Sequence, residues 1–176
     1  MIVAVLITSS IHNQQKCFAC LDSGFSSISS EEYIFRGVIL TSLLDSFENK
    51  INRKKIIFAI VISGLLFGTA HFAHIVTQGF LISMVQVIQV SAMGCLLCAL
   101  YVRTGSILMP MLVHFAIDYF IIVRVGTVQK KMPTDPISLI VEIVFPFTIY
   151  LVLAIVVLNP KNPSRWKLVE QLSSKT

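Results

Sequence analysis

IIFAIVISGLLFGTAHFAHIV, residues 56–76, is apolar almost throughout and is interrupted chiefly by His71 and His74. At 1.5 Å per residue, a helix of this length crosses the ~30 Å hydrocarbon core of a bilayer. The pattern recurs on either side. Residues 80–102, 107–123 and 137–158 read as further spans, the last with Pro146 inside it as a kink. Before them, Ser29 and Glu32 fit a capping box, so a helix is expected from about Ser30 to Leu44. Thr77–Gly79 reads as a turn and Arg103-Thr104-Gly105-Ser106 as a tight connection. The expected fold is all-α, a polytopic transmembrane helix bundle with about four to five spans.

Composition agrees. Of 176 residues, 55% are apolar and 13% charged, against roughly 25% charged in soluble domains. Net charge is +5, but the basic residues gather in short loops and the tail rather than on a face interleaved with aromatics. That argues for loop bias at a membrane and against nucleic acid as a partner. The charge count puts the 48–55 loop, the 103–106 turn and the tail on the cytoplasmic side, with the basic loop at 124–136 arguing the other way.

Three regions follow. Residues 1–28 hold a short apolar start, which reads as truncated and carries no signal-peptide pattern, and a serine-rich polar loop. Residues 29–123 form a helical core. Residues 124–176 comprise a loop, the final span and a polar, basic tail. Two C-x-x-C pairs occur, Cys17/Cys20 and Cys95/Cys98. Zinc would need both pairs to meet, and a redox role is a second alternative. Inside an apolar helix cysteine packs as a small hydrophobe, and plain packing is what is expected of Cys95 and Cys98.

Against this background six ionisable side chains stand out: Glu31, Glu32 and Arg36, then His71, then His114 and Asp118. Charge at membrane depth costs at least ~2.5–3.5 kcal/mol per group, so such residues usually face a protein-lined or watery cavity and carry function. Glu32 and Arg36 are four apart and can pair, which leaves Glu31 free. His114 and Asp118 are also four apart, so the carboxylate can set the imidazole tautomer. Counting 1.5 Å per residue puts His71 and Asp118 in the same half of the bilayer as Glu31. Each group alone has a structural alternative: acids at a helix start, a packed histidine, a buried His–Asp bond. Together they make a plausible water-activating cage, with a buried glutamate as base and an imidazole as oxyanion donor.

The stretches EEYIFRG (31–37), FGTAHF (67–72) and TGSILMPMLVHFAID (104–118) resemble the three motifs of the CPBP family of CAAX prenyl proteases and bacteriocin-processing proteins, also called Abi. Order and spacing match from about Ser29 to Tyr119. The resemblance implies an intramembrane endopeptidase in which Glu31 and His71 activate water. By the same analogy His114 and Asp118 serve the oxyanion side, and Glu32 and Arg36 brace the site. It implies no required cofactor, with zinc held by Glu31, His71 and His114 as the open alternative. Family members usually carry further spans before the first motif, so the expectation is either that a partner or a second copy covers that side or that the chain is a shortened member.

The expected substrate is a membrane-embedded or amphipathic peptide, with bacteriocin processing or self-immunity as the setting and a bacterial cytoplasmic membrane as the location. Two other readings stay open: a non-catalytic immunity or scaffold protein that keeps the motif, and an ion transporter using His71, His74, His114 and Asp118.

Overall fold

The computed structural model describes residues 25–47, 52–125, 135–158 and 166–174. The apolar start, the Cys17/Cys20 pair and the basic loop residues 48–51 and 126–134 lie outside them. Among the described residues the secondary structure is helical, with no strand.

Helix α1 runs from residue 25 to Asp45. It is α-helical over 25–32, π-helical over Tyr33–Leu40 and α-helical again over Thr41–Asp45. The expected capping box does not form, because Ser29 lies within the helix and donates to Phe25 O at 2.7 Å. Ser30 likewise bonds back to Ser26 O, as serines inside helices do. Helix α2, Arg53–Ala70, starts at Asn52, whose side chain accepts from Lys55 N at 3.0 Å. It tightens into a 3-10 turn at His71–His74, makes one more turn over Ile75–Gln78, and stops at Gly79 with φ 85°. Helix α3, Phe80–Thr104, ends at Gly105 with φ 66°, a left-handed cap whose N–H reaches Tyr101 O. Helix α4 is Leu108–Val125 and α5 is Pro136–Val157. Asp135 accepts from Ser138 N at 2.7 Å and Pro136 occupies the first turn, so α5 begins with a full set of start signals.

Three helices among the described residues are long and apolar enough to cross a membrane: Arg53–Gln78, Phe80–Thr104 and Pro136–Val157. Leu108–Ile121 is a shorter apolar helix beside them. A transmembrane helix bundle is therefore the observed architecture, and three spans is the number that length and apolarity alone support.

The α2–α3 hairpin is its centre. Gly64 and Gly94 face each other so closely that a Cβ on Gly94 would lie 2.9 Å from Gly64 Cα. A Cβ on Gly64 would lie 2.6 Å from Cys95 Sγ and 2.9 Å from Cys95 N. Small residues let two backbones meet where lipid gives no hydrophobic drive to associate. Cys95 and Cys98 are buried free thiols in this seam, in keeping with the packing reading.

Beyond α5 the chain departs from the expected solvated tail. Trp166 is buried with Leu40, Leu44, Ile56 and Val102, and Leu168 of helix α6, Lys167–Ser173, joins the same cluster. An indole buries 150–250 Å² of surface, enough to dock a short polar helix that would not form alone. The cluster also shows that the end of α1, the start of α2, the end of α3 and α6 share one end of the bundle. Residues 53–55, the 103–106 turn and α6 thus lie together, as the charge count grouped them.

Candidate active site

The polar groups lie toward the opposite end, where the start of α1, the end of α2 and the middle of α4 meet. Phe67 joins them. Its fully buried ring lies under the Arg36 guanidinium at 4.2 Å, 5.0 Å from the His71 ring and 5.6 Å from the His114 ring. An aromatic face attracts a cation and its edges suit neighbouring imidazoles.

Glu32 and Arg36 are completely buried. Arg36 Nη1 lies 3.0 Å from Glu32 Oε1, which is the expected pairing four residues apart. Arg36 Nη2 donates to Gly94 O at 3.4 Å, tying the ion pair to α3. The widened π turn that carries Arg36 is braced from α2, where Ser63 Oγ donates to Phe35 O at 2.8 Å. Such π segments are rare and occur often at functional sites. Nothing in sequence spacing marks Ser63 or Gly94, since a serine and a glycine in apolar runs read as packing residues.

His114 is buried between two carboxylates. Its Nδ1 lies 2.8 Å from Glu32 Oε1, and its Nε2 lies 3.5 Å from Asp118 Oδ2. An ionised carboxylate only accepts, so Nδ1–H donates to Glu32 and fixes the ring's orientation. Asp118 is on the open side, with its side chain 42% exposed. It lies within electrostatic reach of His114, Glu31, His71 and Glu32.

His71 Nδ1 meets Phe67 O at 3.0 Å. A carbonyl cannot donate, so His71 donates from Nδ1, and in the neutral ring Nε2 keeps the lone pair. Glu31 is half-buried and accepts from Ser27 Oγ at 3.2 Å, so it is the more accessible glutamate of the pair. His74 turns outward toward Gln86 Oε1, 3.3 Å from its Nδ1, with its ring 5.5 Å from that of His71.

The structure therefore brings Glu31, Glu32, Arg36, His71, His114 and Asp118 into one neighbourhood from three stretches of chain. Glu32, Arg36 and His114 form its buried floor; Glu31, His71 and Asp118 are its more open members. As a zinc site the set fits poorly. Among the described residues no three His, Cys, Asp or Glu side chains are grouped to hold a metal ion, and His114 has both nitrogens facing carboxylates.

A family model for type II CAAX prenyl endopeptidases, Rce1-like, matches residues 13–120, a range that contains all six of these residues. Searches of curated proteins and of solved structures found no match.

Proposed function

This chain belongs to the Rce1-like family of type II CAAX prenyl endopeptidases, and from that membership we propose that it hydrolyses a peptide bond of a membrane-associated peptide or protein. The placement of His71 and His114 on the Phe67 ring, with Asp118 at His114 Nε2, supports the reading.

In this mechanism Glu31 takes a proton from water while His71, held through Nδ1 by Phe67 O, accepts a hydrogen bond from the same water at Nε2. The oxygen attacks the scissile carbonyl, whose π electrons move onto oxygen. His114, anchored at Nδ1 by Glu32, turns Nε2 toward that oxyanion and donates from it when the ring is doubly protonated. Collapse of the tetrahedral intermediate breaks the C–N bond, and the proton held by Glu31 passes to the departing amine. An ionised Asp118 would repel the oxyanion, so its part is to orient His114 Nε2 before substrate binds and to give up that contact as the oxyanion forms.

The setting we favour is a bacterial cytoplasmic membrane, with an amphipathic bacteriocin-like peptide as substrate and processing or self-immunity as the outcome. Glu31→Gln is the test, because it keeps the shape and removes the base. The full chain in lipid vesicles is offered prenylated C-terminal peptides and unprenylated amphipathic peptides. Cleavage should fall by ~100-fold or more, with thermal unfolding unchanged. Wild-type cleavage by the variant would overturn this assignment of the base.

One observation favours a second reading, a binding protein that protects without cutting. The most buried part of the first motif, Glu32 with Arg36 and His114, ties helices together whether or not chemistry follows. Protection of cells by Glu31→Gln, with no cleavage by either protein, would support that reading.

A further inference from the structure

The two glutamates of the first motif are consecutive in the chain, yet they stand in different places. Glu32 is completely buried against Arg36 and His114, while Glu31 is half-buried on the open side. Which glutamate takes which place is set further along α1, where Leu40 and Leu44 are fully buried and hold that helix in the core. The π turn over Tyr33–Leu40 lies between this anchor and the motif. Its i→i+5 bonding winds the chain more loosely than an α-helix, which amounts to one extra residue in the helix. One residue of α-helix is about 100° of rotation. Wound as plain α-helix on the same anchor, everything before the turn would rotate by one position. Glu32 would come round to the place of Glu31. Tyr33, now 63% exposed, would come to the buried place beside Arg36 and His114.

A widened turn displaces carbonyls from the N–H groups an α-helix would offer them, and hydrocarbon supplies no water in their stead. Hydroxyls take that part here. Thr41 Oγ1 donates to Gly37 O and reaches Val38 O at 3.1 Å, both within α1. Ser63 Oγ comes from α2 and donates to Phe35 O at 2.8 Å. Ser63 is completely buried, so solvent has no access to replace this bond. Cys98 of α3 fixes the direction of the hydroxyl. Its Sγ donates to Ser63 Oγ across 3.4 Å, which leaves the serine proton for Phe35 O. Arg36 ties the same turn to α3 through a side chain, whereas Ser63 grips the backbone of the turn itself.

We propose that Ser63 is a positioning residue: by holding Phe35 O it keeps the π turn wound, and so makes Glu31, rather than Glu32, the glutamate that faces the reacting side. The inference rests on the reading of this site as peptide-hydrolysing, with Glu31 as its base. Without the serine hydroxyl the turn rewinds toward α-helix, and the buried ion pair and the base lose their places together.

Ser63→Ala removes the donor and little else. With the full chain in vesicles and a peptide that the wild type cleaves, kcat should drop ~10-fold while KM stays within ~2-fold. Deleting Val38, an exposed residue of the π turn, takes out the extra residue, so a plain α-helix then presents Glu31 and Glu32 in their present places. On the Ser63→Ala background this deletion should bring kcat back to within ~3-fold of wild type, whereas a merely structural serine predicts that the two lesions add. The register is also read without substrate, by 3-fluorotyrosine NMR in detergent with the Tyr33 signal identified by its loss in Tyr33→Phe. A paramagnetic agent should broaden that signal in the wild type, spare it in Ser63→Ala, and broaden it again in the deletion. Wild-type kcat in Ser63→Ala, a deletion that deepens the loss, or an unmoved Tyr33 signal overturns the proposal. Should the wild type cleave no peptide, the peptidase reading fails, and the Tyr33 signal still decides whether Ser63 sets the register.

Discussion

Glu32 and His114, 82 residues apart in the chain, meet through Oε1 and Nδ1 at 2.8 Å with almost no solvent exposure of either side chain. The same oxygen lies 3.0 Å from Arg36, so one atom joins α1 to α4 and neutralises a buried cation. Glu32→Gln keeps a hydrogen-bond acceptor for His114 but strands the guanidinium. Removing one partner of a buried pair costs about 3–5 kcal/mol, so this variant should unfold well below the wild type. Glu31→Gln should not. Thermal unfolding in detergent, run on both, separates the bracing glutamate from the reacting one.

Arg36→Met on the Glu32→Gln background removes the stranded charge. Replacing both members of a buried ion pair by groups of similar volume is often neutral for stability. The double variant should therefore unfold at a higher temperature than Glu32→Gln alone. A double variant less stable than the single one would show that Arg36 acts through its cation–π contact with Phe67 more than through Glu32.

Gly64→Ala puts a Cβ 2.6 Å from Cys95 Sγ and 2.9 Å from the backbone N of the same residue. The helices must separate, at a cost of ~1–3 kcal/mol typical of overpacking. Cys95→Ala on this background relieves the sulfur contact and leaves the backbone contact, so only part of the lost Tm should return. Full recovery would mean that the backbones have room to spare.

Trp166→Ala empties a buried site at the end of the bundle remote from Phe67 and should cost ~3–5 kcal/mol. Its Nε1 is buried without a hydrogen-bond partner among the described residues, so Trp166→Phe gives up packing but no bond. The phenylalanine variant should unfold between the wild type and Trp166→Ala, and limited proteolysis should release α6 first in the alanine variant.

Asp135 gives a pH signature outside the membrane. Its hydrogen bond from the Ser138 backbone N–H holds the carboxyl below its ordinary range. A lowered folded-state value means stability that is present above the unfolded value of about 3.9 and lost as pH falls through the folded one. Asp135→Asn keeps an oxygen cap that does not titrate, so its Tm should be flatter with pH over that acid range than the wild type's. Parallel acid limbs in the two proteins would count against the cap.

The apolar helices and the candidate site were legible for the same reason: charge is conspicuous in an apolar run, so Glu31, Glu32, Arg36, His71, His114 and Asp118 stood out, while the expected four to five spans exceed the three that length and apolarity support. Counting residues along straight helices also put His71 and Asp118 at a common depth. Two features left no trace of that kind. The π turn over Tyr33–Leu40 depends on partners from α2 and α3, which local propensity does not encode. Trp166 lies in a basic, polar stretch that reads as solvated, and its burial depends on residues more than sixty positions away.

The docking of Trp166 on residues of α1 and α2 has a consequence for biogenesis. Until Trp166 has been synthesised, Leu40, Leu44, Ile56 and Val102 lack one of the side chains that bury them in the finished bundle. Nascent intermediates are therefore incompletely assembled, which delays formation of the mature bundle until synthesis has passed its sixth helix.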